Sequence, residues 1–153
     1  MTENESYIIW IGIGILLLYI LVRILRARAI RNSSLRKIDR MDGLDFERYL
    51  MEKYEGLGYQ VELTSGSHDF GADLILEKDG IKTVVQAKRY SDKVSIPAVQ
   101  QVFCAMYYYD ADQCVIVTNN YYTAGAKKLA EKVGVELIDR DDMVELFQIR
   151  SGR

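Results

Sequence analysis

Along most of the chain, the spacing of hydrophobic positions alternates between the period of a helix and the period of a strand. After Asp42, apolar side chains recur at helical spacing, and Gly56 or Gly58 is a natural end for that helix. The elements predicted from these patterns are a helix from 44, strands at 59–63, 72–77 and 82–89, a helix at 96–109, a strand at 113–118, a helix at 123–134, a strand at 135–139 and a helix at 141–149. A hairpin followed by β-α-β crossovers predicts an α/β fold, a three-layer α/β/α sandwich with a mixed central sheet.

The N-terminal segment has a different pattern, because the residues from Tyr7 to Val22 carry no charge. Continued through Arg23 to Leu25, this stretch approaches the roughly 30 Å of a bilayer core, at about 1.5 Å of rise per residue. A buried core helix would show a polar stripe, and a cleaved signal peptide would begin with basic rather than acidic residues. We therefore predict one transmembrane helix, an anchor at 1–26 with residues 7–25 in contact with the lipid bilayer.

Charge is distributed unevenly along the chain. Residues 1–40 hold seven Lys and Arg against three Asp and Glu, whereas residues 41–153 hold thirteen against nineteen. This predicts a basic juxtamembrane neck at 27–40 and an acidic domain at 41–153, which is unsuited to coating nucleic acid by bulk charge. By the positive-inside rule, the protein would be a single-pass cell-membrane protein with its N-terminus outside and this domain in the cytoplasm.

The Asp79-Gly80 pair is the sequence signature of a two-residue type I′ turn, and that turn sets the pairing of the strands around it. In this register Leu74 lies opposite Val85, and Asp73 lies opposite Gln86. Because side chains alternate between the faces of a strand, two sets result. One face carries Asp73, Ile75, Val84, Gln86 and Lys88; the other, which we predict to be core, carries Ala72, Leu74, Leu76, Val85 and Ala87.

The polar residues at the open end of this hairpin have a chemical use. Asp73 can ligate a hard cation such as Mg²⁺, and Gln86 and the main-chain carbonyl of Ala87 can add neutral oxygens. Lys88 can then position or deprotonate an attacking water, or stabilise charge on a phosphate. The alternative is a solvated ion pair on an exposed hairpin face, and the spacing alone leaves both open.

At this point the residues resemble a known family. "SHDFGADLIL" and "VVQAKRY" resemble the core of the Mrr-like restriction endonucleases, a family of the PD-(D/E)xK nuclease superfamily with a Gln-x-Lys form of its third motif. "MDGLDFERYLMEKYEGLGYQVELT", "VQQV" and "VIVTNNYYTAGAKKLAEKVGVELIDRDDMVELF" resemble its first helix and strand, its Gln-bearing helix and its tail. The resemblance covers roughly 41–147 and implies a restriction-endonuclease-like fold.

The resemblance also implies Mg²⁺-dependent (or Mn²⁺-dependent) cleavage of DNA. Carried over, Asp73 would be the metal-binding acid, Gln86 would fill the position of the second acid, and Lys88 would be the catalytic lysine. Glu47 would be a further metal or water ligand, and Gln100 or Gln101 a contact to phosphate or to the active site. Since Gln86 lacks the charge that many superfamily members supply, the metal site depends more on Glu47.

Other residues permit more than one interpretation. Arg89 and Lys93, beside Lys88, could hold the phosphate backbone of DNA. Thr118 and Asn119 end a buried strand, where they could touch substrate or simply form a turn. We expect a membrane-tethered DNA endonuclease in defence against, or processing of, foreign DNA, possible as a homodimer; the alternative is a non-cleaving module that binds nucleic acid or a partner.

Overall fold

The computed structural model describes the backbone of residues 3–64 and 70–149, and the side chains of these residues except for 3–9 and 26–34. Its elements, in chain order, are α1 (Glu3–Ile38), α2 (Gly43–Gly56), β1 (Gln60–Leu63), β2 (Leu74–Lys78), β3 (Ile81–Lys88), α3 (Ile96–Tyr108), β4 (Gln113–Thr118), α4 (Ala124–Val133), β5 (Glu136–Ile138) and α5 (Arg140–Leu146). From α2 onwards the order and type of the elements are those predicted from the sequence. The largest difference is at α5, which ends three residues earlier than predicted.

The strands form one mixed sheet in the order β1-β2-β3-β4-β5. The β1–β2 and β2–β3 pairs are antiparallel, and the β3–β4 and β4–β5 pairs are parallel. Helices α3 and α4 pack on one face of this sheet, while α2 and α5 pack on the other. The predicted three-layer arrangement around a mixed sheet is confirmed.

Helices α2 and α5 each begin at an aspartate whose side chain accepts from the first main-chain amides. Asp42 caps α2 through a carboxylate oxygen 2.8 Å from the amide of Asp45. The buried residues of α2, Phe46, Leu50 and Tyr54, are four apart and therefore form one stripe against the sheet. Asp139 and Asp142 form a reciprocal capping box at the start of α5.

The hairpin turn has the predicted type, because Asp79 and Gly80 both have positive φ, at 53° and 77°. The register follows the prediction from Lys78 opposite Ile81 to Leu74 opposite Val85. Beyond that pair the prediction is wrong: the amide of Asp73 donates to the carbonyl of Val85 (2.8 Å), so Asp73 does not lie opposite Gln86. An extra residue placed in this way, as in a β-bulge, changes the face on which the preceding residues lie.

The bulge also explains why the predicted face of Ala72 is wrong. This residue was expected beside Leu74 and Val85, but it lies in the buried cluster with Val84, Val99 and Val102, under α3. Val84 and Val85 are both fully buried, so both faces of the middle of β3 are core. The hairpin face that carries Gln86 is therefore covered by a helix and is not solvated.

The prediction for the N-terminal segment is not supported by the structure. Within the residues that the structure describes, no helix combines the length and the apolar character needed to cross a membrane. The uncharged run ends at Val22, short of the roughly 20 apolar residues that a span needs, and α1 continues through an arginine-rich sequence to Ile38. The chain divides into this N-terminal segment, through Arg36, and a compact unit at Lys37–Ile149.

Candidate active site

Asp73 lies where the connection from β1 enters β2, and its main chain is held on both sides. Its carbonyl accepts from the amide of Thr64 (3.0 Å), and its amide donates to Val85. Its carboxylate oxygen Oδ2 accepts from the amide of Ala87 at 2.7 Å. The Asp73 carboxylate is thus bound to the main chain of β3 at the residue between Gln86 and Lys88.

The path of the main chain just before Asp73 depends on a glycine. Gly71 has φ +91°, and a Cβ at this position would lie 2.8 Å from the carbonyl oxygen of Gln101 on α3. Only glycine combines this conformation with such close contact to a helix backbone. Residues 65–69, which precede this stretch, lie outside the described residues.

Gln86 is buried, with 3 % of its surface exposed, and its amide is surrounded by polar groups. When the amide is oriented to satisfy both of its ends, its nitrogen donates to the carbonyl of Ala98 (3.0 Å) and its oxygen accepts from Lys88 Nζ (3.1 Å). The side-chain amide of Gln101 lies 3.2 Å away. Both predicted glutamines of α3 are exposed to solvent, and Gln101 is the one whose side chain reaches Gln86.

Lys88 is half-buried at the end of β3, and its ammonium group contacts two side chains. Besides the Gln86 amide, Nζ lies 5.9 Å from the centre of the Tyr90 ring. The main-chain carbonyl of Lys88 accepts from the hydroxyl of Thr118 at 2.6 Å. The predicted alternative of a fully solvated hairpin face does not describe this arrangement, since Gln86 is buried against α3.

The other predicted residues lie on different elements of the fold. Glu47 is half-buried on α2, a helix that packs on the β1–β3 part of the sheet. Lys93 is exposed in the loop before α3. Arg89, predicted to bind DNA, points its guanidinium at the main-chain carbonyl of Asp39 (3.3 Å), and its buried Nε has no hydrogen-bond partner among the described atoms.

A polar network behind Lys88 was not assigned by sequence reasoning. Arg140 makes a two-pronged ion pair with Asp39, at 2.7 and 2.8 Å, and also donates to the carbonyl of Asn119 (2.6 Å). The Asn119 amide nitrogen donates to Asp39 (3.0 Å), and its oxygen accepts from the amide of Tyr90 (2.9 Å). Asn119 carried a weak sequence signal as the end of a buried strand, but Asp39 and Arg140 are about a hundred residues apart and carried none.

The charges of this network affect one another. Hydrogen bonding to Arg140 is the main reason that the pKa of Asp39 lies below its ordinary value; burial opposes this, and Asn119 and Arg89 reinforce it. The same ion pair raises the pKa of Arg140. Asp39 is therefore held in its charged form.

The oxygen atoms at the end of β3 are chemically suited to a hard cation. Mg²⁺ retains several waters and is usually held by one or two carboxylates together with substrate phosphates. Asp73 supplies a carboxylate here, and Gln86 supplies an amide oxygen. In an extended strand the carbonyl and the amide of a residue point the same way, so the Ala87 carbonyl is directed to the side on which its amide meets Asp73. Within the part of the chain that the structure describes, no group of three or more His, Cys, Asp or Glu side chains is placed to hold a metal ion.

Comparisons with known proteins identify the family. A family model described as restriction endonuclease, for the Mrr catalytic domain, matches residues 38–147. The chain is 27% identical over 128 residues to the type IV methyl-directed restriction enzyme EcoKMrr of Escherichia coli (strain K12), a match that covers 78% of this chain and 42% of that protein. This chain therefore matches less than half of the length of that relative.

Two solved structures share the fold. The DNA modification-dependent restriction endonuclease AspBHI superimposes with a TM-score of 0.62 at 20% identity, over 80% of this chain and 35% of that one. The protein of unknown function AF1548 superimposes with a TM-score of 0.57 at 16% identity, over 66% of this chain and 62% of that one. Together with the match over residues 38–147, these results show that the chain belongs to the Mrr-type restriction endonuclease family.

Proposed function

We propose that this protein is a Mg²⁺-dependent endonuclease that hydrolyses phosphodiester bonds in DNA. One observation carries the proposal: the carboxylate of Asp73 is bound to the main chain between Gln86 and Lys88, whose amide and ammonium groups lie 3.1 Å apart. An acid, an amide oxygen and an ammonium group are gathered at one strand end. The family supports the assignment of substrate and reaction, because it consists of restriction endonucleases.

Each of these groups has a distinct role in the proposed reaction. Asp73 would hold the metal ion, together with oxygens from Gln86, the Ala87 carbonyl and Glu47. When bound, Mg²⁺ polarises the phosphate and lowers the pKa of a coordinated water. Mn²⁺, which also suits carboxylate, carbonyl and water oxygens, can replace it.

Lys88 is proposed to hold the attacking water and to stabilise the negative charge that develops on the phosphate. Its contact with Gln86 directs the ammonium group back towards the strand end where the Asp73 carboxylate is bound. Gln101 supports the Gln86 amide from α3. Lys93 is exposed and available to the DNA backbone, whereas Arg89 has a structural contact with Asp39.

Cleavage of plasmid DNA by the full chain tests the proposal. With Mg²⁺ present, we expect nicked or linear product, and chelation of the metal should abolish it. Lys88→Ala and Asp73→Asn should each lower the rate by about a hundredfold or more, since each removes a group that acts on the transition state. Asp73→Asn keeps an oxygen that can accept from Ala87.

Matched controls are Lys127→Ala and Asp110→Asn, which change exposed residues on α4 and after α3. They should cleave at the rate of the unmodified protein. Unchanged cleavage by both site variants would show that the site is wrongly assigned. Binding of DNA without any cleavage by the unmodified chain would instead favour the non-cleaving module.

Two predictions from the sequence stay outside this proposal. Location at the cell membrane rests on the uncharged run from Tyr7 to Val22, with the orientation taken from the basic residues that follow it, and the proposed chemistry does not require it. Assembly as a homodimer rests on the general need for two active sites to cut both strands of DNA. Both stay predictions.

A further inference from the structure

The end of β3 is attached to the end of β4 by two consecutive side chains. Lys88 and Thr118 are partners in the parallel register, and the Thr118 hydroxyl donates to the Lys88 carbonyl at 2.6 Å. Two residues later, the amide of Tyr90 donates to the Asn119 side chain at 2.9 Å. The main chain is therefore held immediately after the Cα of Lys88 and again two residues further on.

Asn119 is itself fixed in a single orientation. It is buried, with 5 % of its surface exposed. Its amide nitrogen donates to Asp39, so its oxygen must face Tyr90. Asp39 is in turn fixed by its two-pronged pairing with Arg140, which also binds the Asn119 carbonyl. A side chain with both ends matched in this way gives the strand end one preferred position.

The position of this strand end decides where the ammonium group of Lys88 lies. Lys88 Nζ must reach the Gln86 amide on the same strand, at 3.1 Å, while the Asp73 carboxylate is bound to Ala87 between them. A catalytic group displaced by about 1 Å can lose about a hundredfold in rate. A loosened segment at 88–90 would therefore reduce catalysis without removing any group that touches DNA.

We propose that Asn119, oriented by the Asp39–Arg140 ion pair, is a positioning residue for Lys88. This inference rests on the proposed function, since it assigns the network a role in the same reaction. The competing explanation is that the network only stabilises the fold, in which case it would change the amount of folded protein and not the rate per folded molecule.

Variants of the full chain separate these explanations. Asn119→Ala removes both side-chain bonds. Asn119→Asp keeps an acceptor for the Tyr90 amide but places two carboxylates where the present distance is 3.0 Å.

The matched control is a side chain that binds the main chain of β3 near the start of that strand, at the end opposite to Lys88. Asp112 accepts from the amide of Lys82 at 2.8 Å, so Asp112→Ala removes a comparable bond to the main chain of β3, far from Lys88. We expect single-turnover cleavage per folded molecule to fall by at least about tenfold in Asn119→Ala and in Asn119→Asp. DNA affinity should stay within about twofold, and Asp112→Ala should cleave normally.

A second measurement is independent of cleavage. In protein labelled at lysine for NMR, Asn119→Asp should shift the side-chain signals of Lys88, and Asp112→Ala should shift those of Lys82. Unchanged Lys88 signals, or a cleavage rate unchanged after correction for the folded fraction, would overturn the positioning role. Absence of cleavage by the unmodified chain would instead count against the proposed function, while the Lys88 signals would still decide the positioning role.

Discussion

At the scale of single residues, the site depends on two residues, Gln86 and Gly71, that are in close contact with α3. The sequence singled out Gln86 as a polar residue of the hairpin, and in the structure it is buried between α3 and Lys88. At position 71, where φ is +91°, glycine is the only residue type that fits against the Gln101 carbonyl. It sets the path of the chain two residues before Asp73.

The closeness of that contact can be measured with a matched pair of glycines. Gly71 and Gly80 both have positive φ, but the space around a Cβ at Gly80 is open. Gly80→Ala should therefore lower the free energy of unfolding by about 1 kcal/mol, from backbone strain alone. Gly71→Ala should lower it by about 3 kcal/mol, because strain and crowding add. Chemical denaturation measures both, and equal losses would show that Gln101 does not crowd this position.

At the scale of elements, local chemistry determined the hairpin and tertiary contacts determined where it ends. The Asp79-Gly80 turn and the five residue pairs between β2 and β3 follow from the sequence. The bulge at Asp73 does not, because it depends on how Gly71 and Ala72 pack against α3. For the same reason the predicted facial pattern failed at Ala72, just beyond the last regular pair.

The ion pair that joins the segment after α1 to α5 should make stability depend on pH in a definite direction. The pKa of Asp39 is lowered in the folded state, mainly by Arg140. Its contribution is therefore fully present above the carboxyl pKa of the unfolded chain, about 3.9, and is lost as the pH falls through the lower folded value. The difference in unfolding free energy between the protein and Asp39→Asn should be largest near about pH 6 and should shrink below about pH 4.

A double-mutant cycle provides the control for this prediction. In an Arg140→Gln background, Asp39→Asn should show much less of this pH dependence, because the main cause of the shift has been removed. Denaturant unfolding at several pH values gives all four free energies. A difference that grows towards low pH would contradict the assigned direction of the shift.

At the scale of the whole molecule, the compact unit begins before the residue at which the sequence placed it. Residues 27–40 were assigned to a basic neck, yet the compact unit includes Lys37 onwards, and Ile38 is buried within it. Asp39 pairs with Arg140 of α5, at the far end of the same unit. The match to the family begins at 38, in agreement with these contacts.

Two shortened chains test this boundary directly. A chain of 41–153 loses Ile38 and Asp39, and its unfolding free energy should be at least about 2 kcal/mol below that of a chain of 37–153, mainly from the lost burial of Ile38. The control is the 37–153 chain with Lys37→Ser and Arg40→Ser, which loses the same positive charges but keeps the buried and paired residues. Equal stability of all three chains would place the boundary at 41.

The sequence alone determined the order of the elements, the turn and register of the hairpin, and the resemblance that leads to Asp73, Gln86 and Lys88. These depend on periodicity, turn chemistry and short motifs, which are local properties of a chain. Only the tertiary structure decided that Gln101 and not Gln100 meets Gln86, that Arg89 turns inward, and that Asp39, Asn119 and Arg140 meet behind Lys88. Such contacts join residues up to 101 positions apart, and no local pattern records them, because they arise only when the helices have packed on the sheet.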